Sequence, residues 1–201
     1  MKPKVLQLIP SFHQGGTERQ AVQLTRLMLQ RGRYDVHISA LDGDGLLRAE
    51  VECLDVGEIT SYPLTSFYDR NAVIQLRRLV SYLRRMQINI IHTHDFYTNI
   101  FGLTAAKLAA VPIRVGSRRE SSVRSRLQRR IERYAYRFAQ VVIANCEDVR
   151  RQLIGEGVRA DKVVTIHNGL DMKRLALPVS FDPDNARASF HLPNDQQLVT
   201  I

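Results

Sequence analysis

The segment around Gly15 and Gly16 has the residue types of a phosphate-binding turn. It follows the apolar run at residues 5–9 and precedes an amphipathic helical pattern that ends at Gly32. The amide groups near Thr17 therefore open a predicted helix, and a helix start attracts anions, most often phosphate. The glycine pair by itself fits a tight connection without a ligand equally well, and the three-glycine dinucleotide fingerprint is absent.

Polar residues also follow other apolar runs along the chain. They are His92-Thr93-His94-Asp95, Ser117-Arg118-Arg119-Glu120, Asn145 and Asn168-Gly169-Leu170-Asp171. In sheets of parallel strands, ligands bind beyond the carboxyl ends of the strands. We therefore expect these residues to line one rim together with the glycine pair.

The elements that must position this rim are strands alternating with amphipathic helices. Strands are predicted at residues 5–9, 35–41, 51–56, 88–92, 113–116, 140–144 and 162–167, and helices from Gly16, from an Asn71 cap, and at 99–110, 124–138 and 147–154. This alternation predicts an α/β fold with a doubly wound, mostly parallel, Rossmann-like sheet.

Positive charge is concentrated between Arg114 and Arg137, within a chain of formal net charge +9. The helix predicted there places Leu127, Ile131, Tyr134 and Phe138 at core-facing intervals. We expect an exposed cationic surface. Three roles are open for it: a face in contact with solvent only, a contact with anionic membrane, or a contact with a phosphate-bearing substrate. Nucleic acid is not expected, because no reading motif accompanies the arginines. The surface set is Arg118, Arg119, Arg124, Arg126, Arg129, Arg130 and Arg133.

The composition restricts the class of protein. The 201 residues, 44% of them hydrophobic, suffice for a substantial core, and no apolar run is long enough to span a bilayer. Cys53 and Cys146 lack metal-site spacing, so both are expected to be reduced, and no metal site is expected. We expect a cytoplasmic protein, with peripheral contact at the inner face of the membrane as an open alternative.

Four segments resemble glycosyltransferase family 4, the retaining glycosyltransferases built from two Rossmann-like domains in the GT-B architecture. They are PSFHQGGTERQAVQLTRLMLQRGRYDV, INIIHTHD, VVIANCEDVRRQLIGEGV and KVVTIHNGLD, in order over residues 4–175. The resemblance implies that residues 1–175 form the N-terminal, acceptor-side domain. Residues 176–201 would then be an interdomain linker and, at 197–201, the first strand of a truncated C-terminal donor domain.

The resemblance also implies a reaction and roles for individual residues. A hexose would move from a nucleotide diphosphate sugar, of the UDP or GDP type, to a carbohydrate or lipid-linked acceptor, with retention and with no cofactor or metal. His94 would be the catalytic residue, and Gly15, Gly16, Thr17 and Asn168 would bind the donor. Cys146 departs from the serine usual in this family.

The resemblance also bears on whether the 201-residue chain is active alone, and two other functions remain open. The family's phosphate-binding and ribose-binding groups belong to the second domain, so the 201-residue chain is expected to bind donor weakly and to be inactive alone. The first alternative is a non-catalytic Rossmann-like module that binds nucleotide or phosphate. The second is an epimerase or phosphorylase built on the same two-domain plan.

Overall fold

The computed structural model describes residues 2–120, 124–170, 172, 176 and 180–193. The strands are β1 (Lys4–Ile9), β2 (Asp35–Ala40), β3 (Thr60–Ser61), β4 (Ile90–Thr93), β5 (Ile113–Arg118), β6 (Val141–Ala144) and β7 (Val163–Thr165). The helices are α1 (Gly16–Arg31), α2 (Leu47–Glu52), α3 (Arg70–Arg85), α4 (Phe96–Leu108), α5 (Arg126–Tyr136), α6 (Glu147–Gly155) and α7 (Pro183–Ser189), with a 3-10 turn at Ala160–Lys162. The chain divides into two compact units, residues 1–168 and 169–201.

The first unit contains one sheet in which every strand pair is parallel. The strand order is β3-β2-β1-β4-β5-β6-β7, so the chain reverses its direction of winding between β1 and β4. The predicted α/β, Rossmann-like fold is therefore confirmed. In such sheets the gap beyond the carboxyl ends of the two strands at the reversal is where ligands bind, which directs attention to the segments after β1 and β4.

Three clusters of buried apolar residues hold the helices against the sheet. Leu6, Leu8 and Ile91 join side chains of α3 and α4, whereas Ile9 and Ile38 join those of α1 and α2. The third cluster is formed by side chains from α4, α5, α6, β6 and β7. The strands are buried because helices flank the sheet, which explains the nearly continuous apolar runs in the sequence.

One predicted strand and one predicted helix cap were wrong. The strand predicted at residues 51–56 is not formed, because Leu47 and Val51, four residues apart, lie on the buried side of α2 and the neighbouring strand β3 comes later. The cap of α3 is Asp69 rather than Asn71, since the Asp69 carboxylate accepts a hydrogen bond from the Ala72 amide at 2.8 Å.

Helix α4 begins almost immediately after β4 and lies very close to the sheet. Asp95 and Thr98 form a reciprocal capping box at its first turn. Gly102 faces β1 and β4 so closely that an added Cβ would clash with Leu8 and Thr93. The small residues Gly102, Ala105 and Ala106 are buried and allow this close packing.

Helix α5 turns a different face to the core from the one predicted. Leu127 and Tyr134 are 64% and 59% exposed, whereas Glu132, Ala135 and Tyr136 are buried. The four-residue spacing of Leu127 and Ile131 suggested a core face, but the buried Glu132 satisfies its charge with arginine partners and takes that place. The exposed face of α5 is consequently both cationic and apolar.

The second unit is described only in part. Its helix α7 begins after Asp182, whose carboxylate accepts a hydrogen bond from the Asp184 amide at 3.0 Å. The strand predicted at residues 197–201 lies outside the described residues. In the described ranges, no helix combines the length and the apolar character needed to cross a membrane.

Candidate functional site

The polar residues that follow β1, β4 and β5 meet in one small cleft. Its volume is about 230 Å³, and it is lined by Pro10, Gly16, Thr17, Glu18, His94, Asp95, Arg118, Arg119, Glu120 and Arg124. The parallel pairing of β1 with β4 brings the start of α1 beside the start of α4. The structure therefore places the predicted residues Gly16, Thr17 and His94 together at the point where the strand order reverses.

The start of α1 is covered by a carboxylate of the chain itself. Gly15 is the N-cap and has no side chain to hydrogen-bond the first amides, and a Cβ added there would clash with the Glu18 carboxylate. Glu18 folds back and accepts a hydrogen bond from its own amide. Burial, and then the nearby Asp95, raise the pKa of Glu18, because both disfavour its charged form. An anion bound at this helix start would meet Glu18.

His94 lies at the inner end of the cleft as a neutral imidazole. Its side chain is buried, and its Nε2 lies 2.6 Å from Oε1 of Gln7 on β1. Burial, followed by the neighbouring His92 and Arg119, holds the pKa of His94 well below its usual range. Nδ1 of His94 is buried and has no hydrogen-bond partner among the described residues.

His92 is packed inside the domain. Its Nε2 lies 2.6 Å from Oγ of Ser117, and the rings of His92 and His94 are 4.0 Å apart between centroids. Burial lowers the pKa of His92 to about 3. His92 is therefore a neutral support for His94.

Asp95 has a structural task at the cleft wall. Its carboxylate accepts the Thr98 amide hydrogen bond at 2.8 Å and so caps α4. Burial raises the pKa of Asp95, although its hydrogen bonds with Thr98 oppose that shift. Together with Glu18, it makes one wall of the cleft acidic.

Arg119 provides the cationic wall. Its Nη1 donates to Oδ1 of Asn168 at 2.6 Å, and its backbone oxygen accepts from Asn145 at 2.9 Å. Nε of Arg119 is buried and has no hydrogen-bond partner in the described part of the chain. We predicted Arg119 in the exposed cationic set and Asn168 at the donor; the structure joins the two through this hydrogen bond and places Arg119 in the cleft.

Arg118 and Arg124 do not belong to an exposed surface, so their assignment to it was wrong. The Arg118 side chain is fully buried and its Nη1 lies 2.6 Å from Oε2 of Glu156. Arg124 is also buried, forms an ion pair with Glu132 and stacks over the Phe96 ring at 4.7 Å. These buried charges require partners, and the acidic partners come from α5 and the end of α6.

The other arginines of the predicted set do lie together at the surface. Arg126, Arg129, Arg130 and Arg133 line a groove of about 300 Å³ with Gly155 and Glu156. The exposed Leu127 lies on the same helix. The groove is separate from the cleft that holds His94, because the two share no lining residue.

Residues 14–174 match the pattern of Glycosyltransferase Family 4. The chain belongs to glycosyltransferase family 4. No protein of curated function matches its sequence as a relative. The family assignment covers the segments after β1 and β4, which form the cleft.

Solved structures share the fold of this family member at low sequence identity. HepE from Anabaena, in complex with UDP and glucose, has a TM-score of 0.78 and 20% identity over 94% of this chain and 50% of its own. A glycosyltransferase from Rickettsia africae has a TM-score of 0.75 and 16% identity, and the match covers 96% of this chain and 51% of that structure's chain. UDP-N-acetylglucosamine 2-epimerase from Rickettsia bellii has a TM-score of 0.60 and 11% identity, and the match covers 84% of this chain and 45% of the epimerase chain. The chain thus has the fold of the N-terminal half of a GT-B protein and spans about half the length of the structures it matches.

Gln7 is a site residue that we did not predict from the sequence. The signal in the sequence is a polar residue within the apolar run Val-Leu-Gln-Leu-Ile. In a strand that is covered on both faces of the sheet, a polar side chain needs a hydrogen-bond partner. That partner, His94, is 87 positions away. For metals, the described residues contain no group of three or more His, Cys, Asp or Glu side chains able to hold an ion.

The buried ion cluster behind the cleft generates a stability prediction. Glu132 pairs with Arg124, lies 3.9 Å from Arg118 and accepts the Tyr136 hydroxyl hydrogen at 2.9 Å. We expect Glu132→Gln to lower the free energy of unfolding by about 3 kcal/mol, because it leaves buried arginine charge uncompensated. Urea denaturation measures this change.

The matched control is Glu52→Gln, which breaks the exposed pair of Glu52 with Arg48. Exposed pairs contribute about 1 kcal/mol or less, so this change should be small. Equal losses from the two substitutions would show that the buried cluster is not a special source of stability.

Proposed function

We propose that the chain is the acceptor-side domain of a retaining glycosyltransferase that moves a hexose from a nucleotide diphosphate sugar. The observation that supports this most is the cleft itself, where the start of α1, the neutral His94 and the half-buried Arg119 lie side by side. A diphosphate requires cation and amide donors, whereas a sugar requires neutral hydrogen-bonding groups. The cleft offers both.

The donor would lie with its diphosphate between α1 and Arg119. The amides at Gly16 and Thr17 and the guanidinium of Arg119 would stabilise negative charge as the diphosphate leaves. His94 would contact the hexose as the catalytic residue, and Asn168 would orient Arg119. HepE was solved with UDP-glucose, which supports a nucleotide sugar as the ligand class and UDP-glucose as the probe.

A second domain would complete the reaction site, since the matched structures are about twice as long as this chain. We therefore propose that the 201 residues bind donor weakly and turn over little or none, with no metal or organic cofactor. The rival epimerase shares the fold. An epimerase would convert the sugar nucleotide without an acceptor, so acceptor-independent epimerisation by the longer protein would contradict the transferase proposal.

The acceptor would lie in a second pocket that adjoins the donor cleft through Pro10. This pocket has a volume of about 560 Å³, and the stacked rings of Phe67 and Tyr97, 5.5 Å apart between centroids, form part of its wall. Asp42 and Ser66 add polar groups to the apolar lining. An aromatic face next to a carboxylate and a hydroxyl suits a carbohydrate ring, which has an apolar face and hydroxyl edges.

The cationic groove on α5 would hold the protein at an anionic membrane that carries a lipid-linked acceptor. Arg126 and Arg130 supply charge, and the exposed Leu127 and Tyr134 supply apolar surface on the same helix. An interfacial helix requires this combination of charge and apolar area. The corrected orientation of α5 therefore favours the membrane alternative over a purely solvated face.

Donor binding can be tested through Glu18. We expect Glu18→Gln to bind UDP-glucose about 5-fold more tightly at pH 8, because it removes a carboxylate that competes for the start of α1. Because the pKa of Glu18 is raised, the wild-type carboxyl gains its proton as the pH falls, so the advantage of the variant should shrink toward pH 5. Calorimetric titration at both pH values measures the difference.

Asp148→Asn is the control, since it removes the same charge from the exposed first turn of α6. It should leave UDP-glucose affinity unchanged. Weaker binding by Glu18→Gln at pH 8 would refute the competition and would instead make Glu18 a direct ligand of the donor.

Acceptor binding can be tested with simple sugars. We expect saturation-transfer NMR signals from the ring protons of methyl glycosides of glucose, galactose or N-acetylglucosamine, and expect Tyr97→Ala to abolish them because it removes one stacked ring. Tyr68→Ala is the control, because Tyr68 is a neighbouring aromatic residue that is 87% exposed. Signals that survive Tyr97→Ala, or that never occur with any glycoside, would rule out this pocket as the acceptor site.

Membrane contact can be tested by vesicle sedimentation. Replacing Arg126 and Arg130 by glutamine should weaken binding to phosphatidylglycerol vesicles about 30-fold, at about 1 kcal/mol for each charge near an anionic surface. Replacing Arg31 and Arg33, which are exposed elsewhere, removes equal charge and should have little effect. Equal binding to phosphatidylcholine and phosphatidylglycerol vesicles would exclude the electrostatic contact.

A further inference from the structure

Gln7 is buried within β1, where every neighbouring side chain in the strand from Val5 to Ile9 is apolar. A buried amide is costly unless both its oxygen and its nitrogen have partners. Oε1 of Gln7 lies 2.6 Å from Nε2 of His94, and Nε2 of Gln7 donates to Sδ of Met28 at 3.4 Å. The amide thus bridges the inner side of α1 and the histidine of the cleft.

The contact with Met28 fixes which end of the Gln7 amide faces His94. If the amide were reversed, its oxygen would lie against the thioether sulfur, and both of these atoms are acceptors. With the nitrogen on the Met28 side, the Gln7 oxygen faces the imidazole and accepts a hydrogen bond. The hydrogen of that bond belongs to Nε2 of His94.

A neutral imidazole carries only one proton, so a proton on Nε2 leaves Nδ1 with a lone pair. Nδ1 of His94 is buried and has no partner among the described residues, and His94 is one of the residues that line the cleft. A lone pair accepts a hydrogen bond from a hydroxyl group but has nothing to donate to a phosphate oxygen. The groups of the cleft that the proposed function assigns to phosphate are instead the start of α1 and Arg119.

We infer that Gln7 is a positioning residue that holds His94 with its proton on Nε2, so that Nδ1 accepts a hydrogen bond from a hydroxyl group of the bound sugar. The assignment of the ligand rests on the proposed function, whereas the position of the proton does not. Gln7 thereby makes the histidine selective for the sugar part of a nucleotide sugar over its phosphates.

The proton position is measured by long-range nitrogen–proton correlation NMR on the 201-residue chain labelled with ¹⁵N at histidine. We expect His94 of the wild-type chain to carry its proton on Nε2 and expect that proton to be observed directly. Gln7→Met keeps the side-chain length but removes the acceptor, so both His94 nitrogen shifts should move toward those of a mixture of the two neutral forms. Gln7→Glu keeps an acceptor and should retain the proton on Nε2.

His92 is the internal control for folding in these spectra, because its partner is Ser117 rather than Gln7. Its nitrogen shifts should be the same in all three proteins. A wild-type His94 protonated on Nδ1 would overturn the inference. So would His94 shifts that are identical in the wild-type chain and Gln7→Met while the His92 shifts show that the variant is folded.

The ligand is tested by adding UDP-glucose or UDP to the labelled chain. We expect UDP-glucose to shift Nδ1 of His94 and UDP to leave it unchanged, and expect Gln7→Met to bind UDP-glucose about 3- to 10-fold more weakly. An equal shift from both ligands would overturn the hydroxyl assignment. If neither binds, the proposed donor site fails together with the hydroxyl assignment, whereas the variants still decide the position of the proton.

Discussion

The reversal of strand order between β1 and β4 is the constraint on which the site depends. Because both strands are parallel and adjacent, the segments that leave them must diverge toward α1 and α4, and a gap opens between them. That gap receives the start of α1 from one side and His94 from the other. No feature of the glycine pair or of the histidine alone creates the site; their neighbouring strands do.

The cleft holds an uncharged histidine and charged arginines close to each other. Burial keeps His92 and His94 uncharged, and Arg119 nearby reinforces this because a cation disfavours a second positive charge. Behind them, the buried ion cluster of Arg118, Arg124 and their glutamate partners compensates its own charge. Arg119 differs from these two arginines, because its buried Nε has no hydrogen-bond partner in the described ranges.

The fold was predictable from the sequence because parallel strands buried by helices appear as apolar runs between amphipathic segments. The meeting of Gly16, Thr17 and His94 was also predictable, since strand ends share a rim. The partners of buried groups were not. Arg118 pairs with Glu156 38 residues away, and Gln7 contacts His94 87 residues away, so no local pattern indicates either. The strand predicted at residues 51–56 was wrong because the apolar residues from Val51 to Val56 were read as a strand, whereas Val51 belongs with Leu47 to the buried side of a helix.

The connection between β4 and α4, which carries His94, is very short. Only His94 and Asp95 separate the end of β4 from the start of α4, and Gly102 seats that helix directly on the sheet. The six residues between β1 and α1, by contrast, leave the opposite wall room to adjust. We therefore expect the glycine turn and Glu18, rather than the imidazole, to move when a ligand enters the cleft.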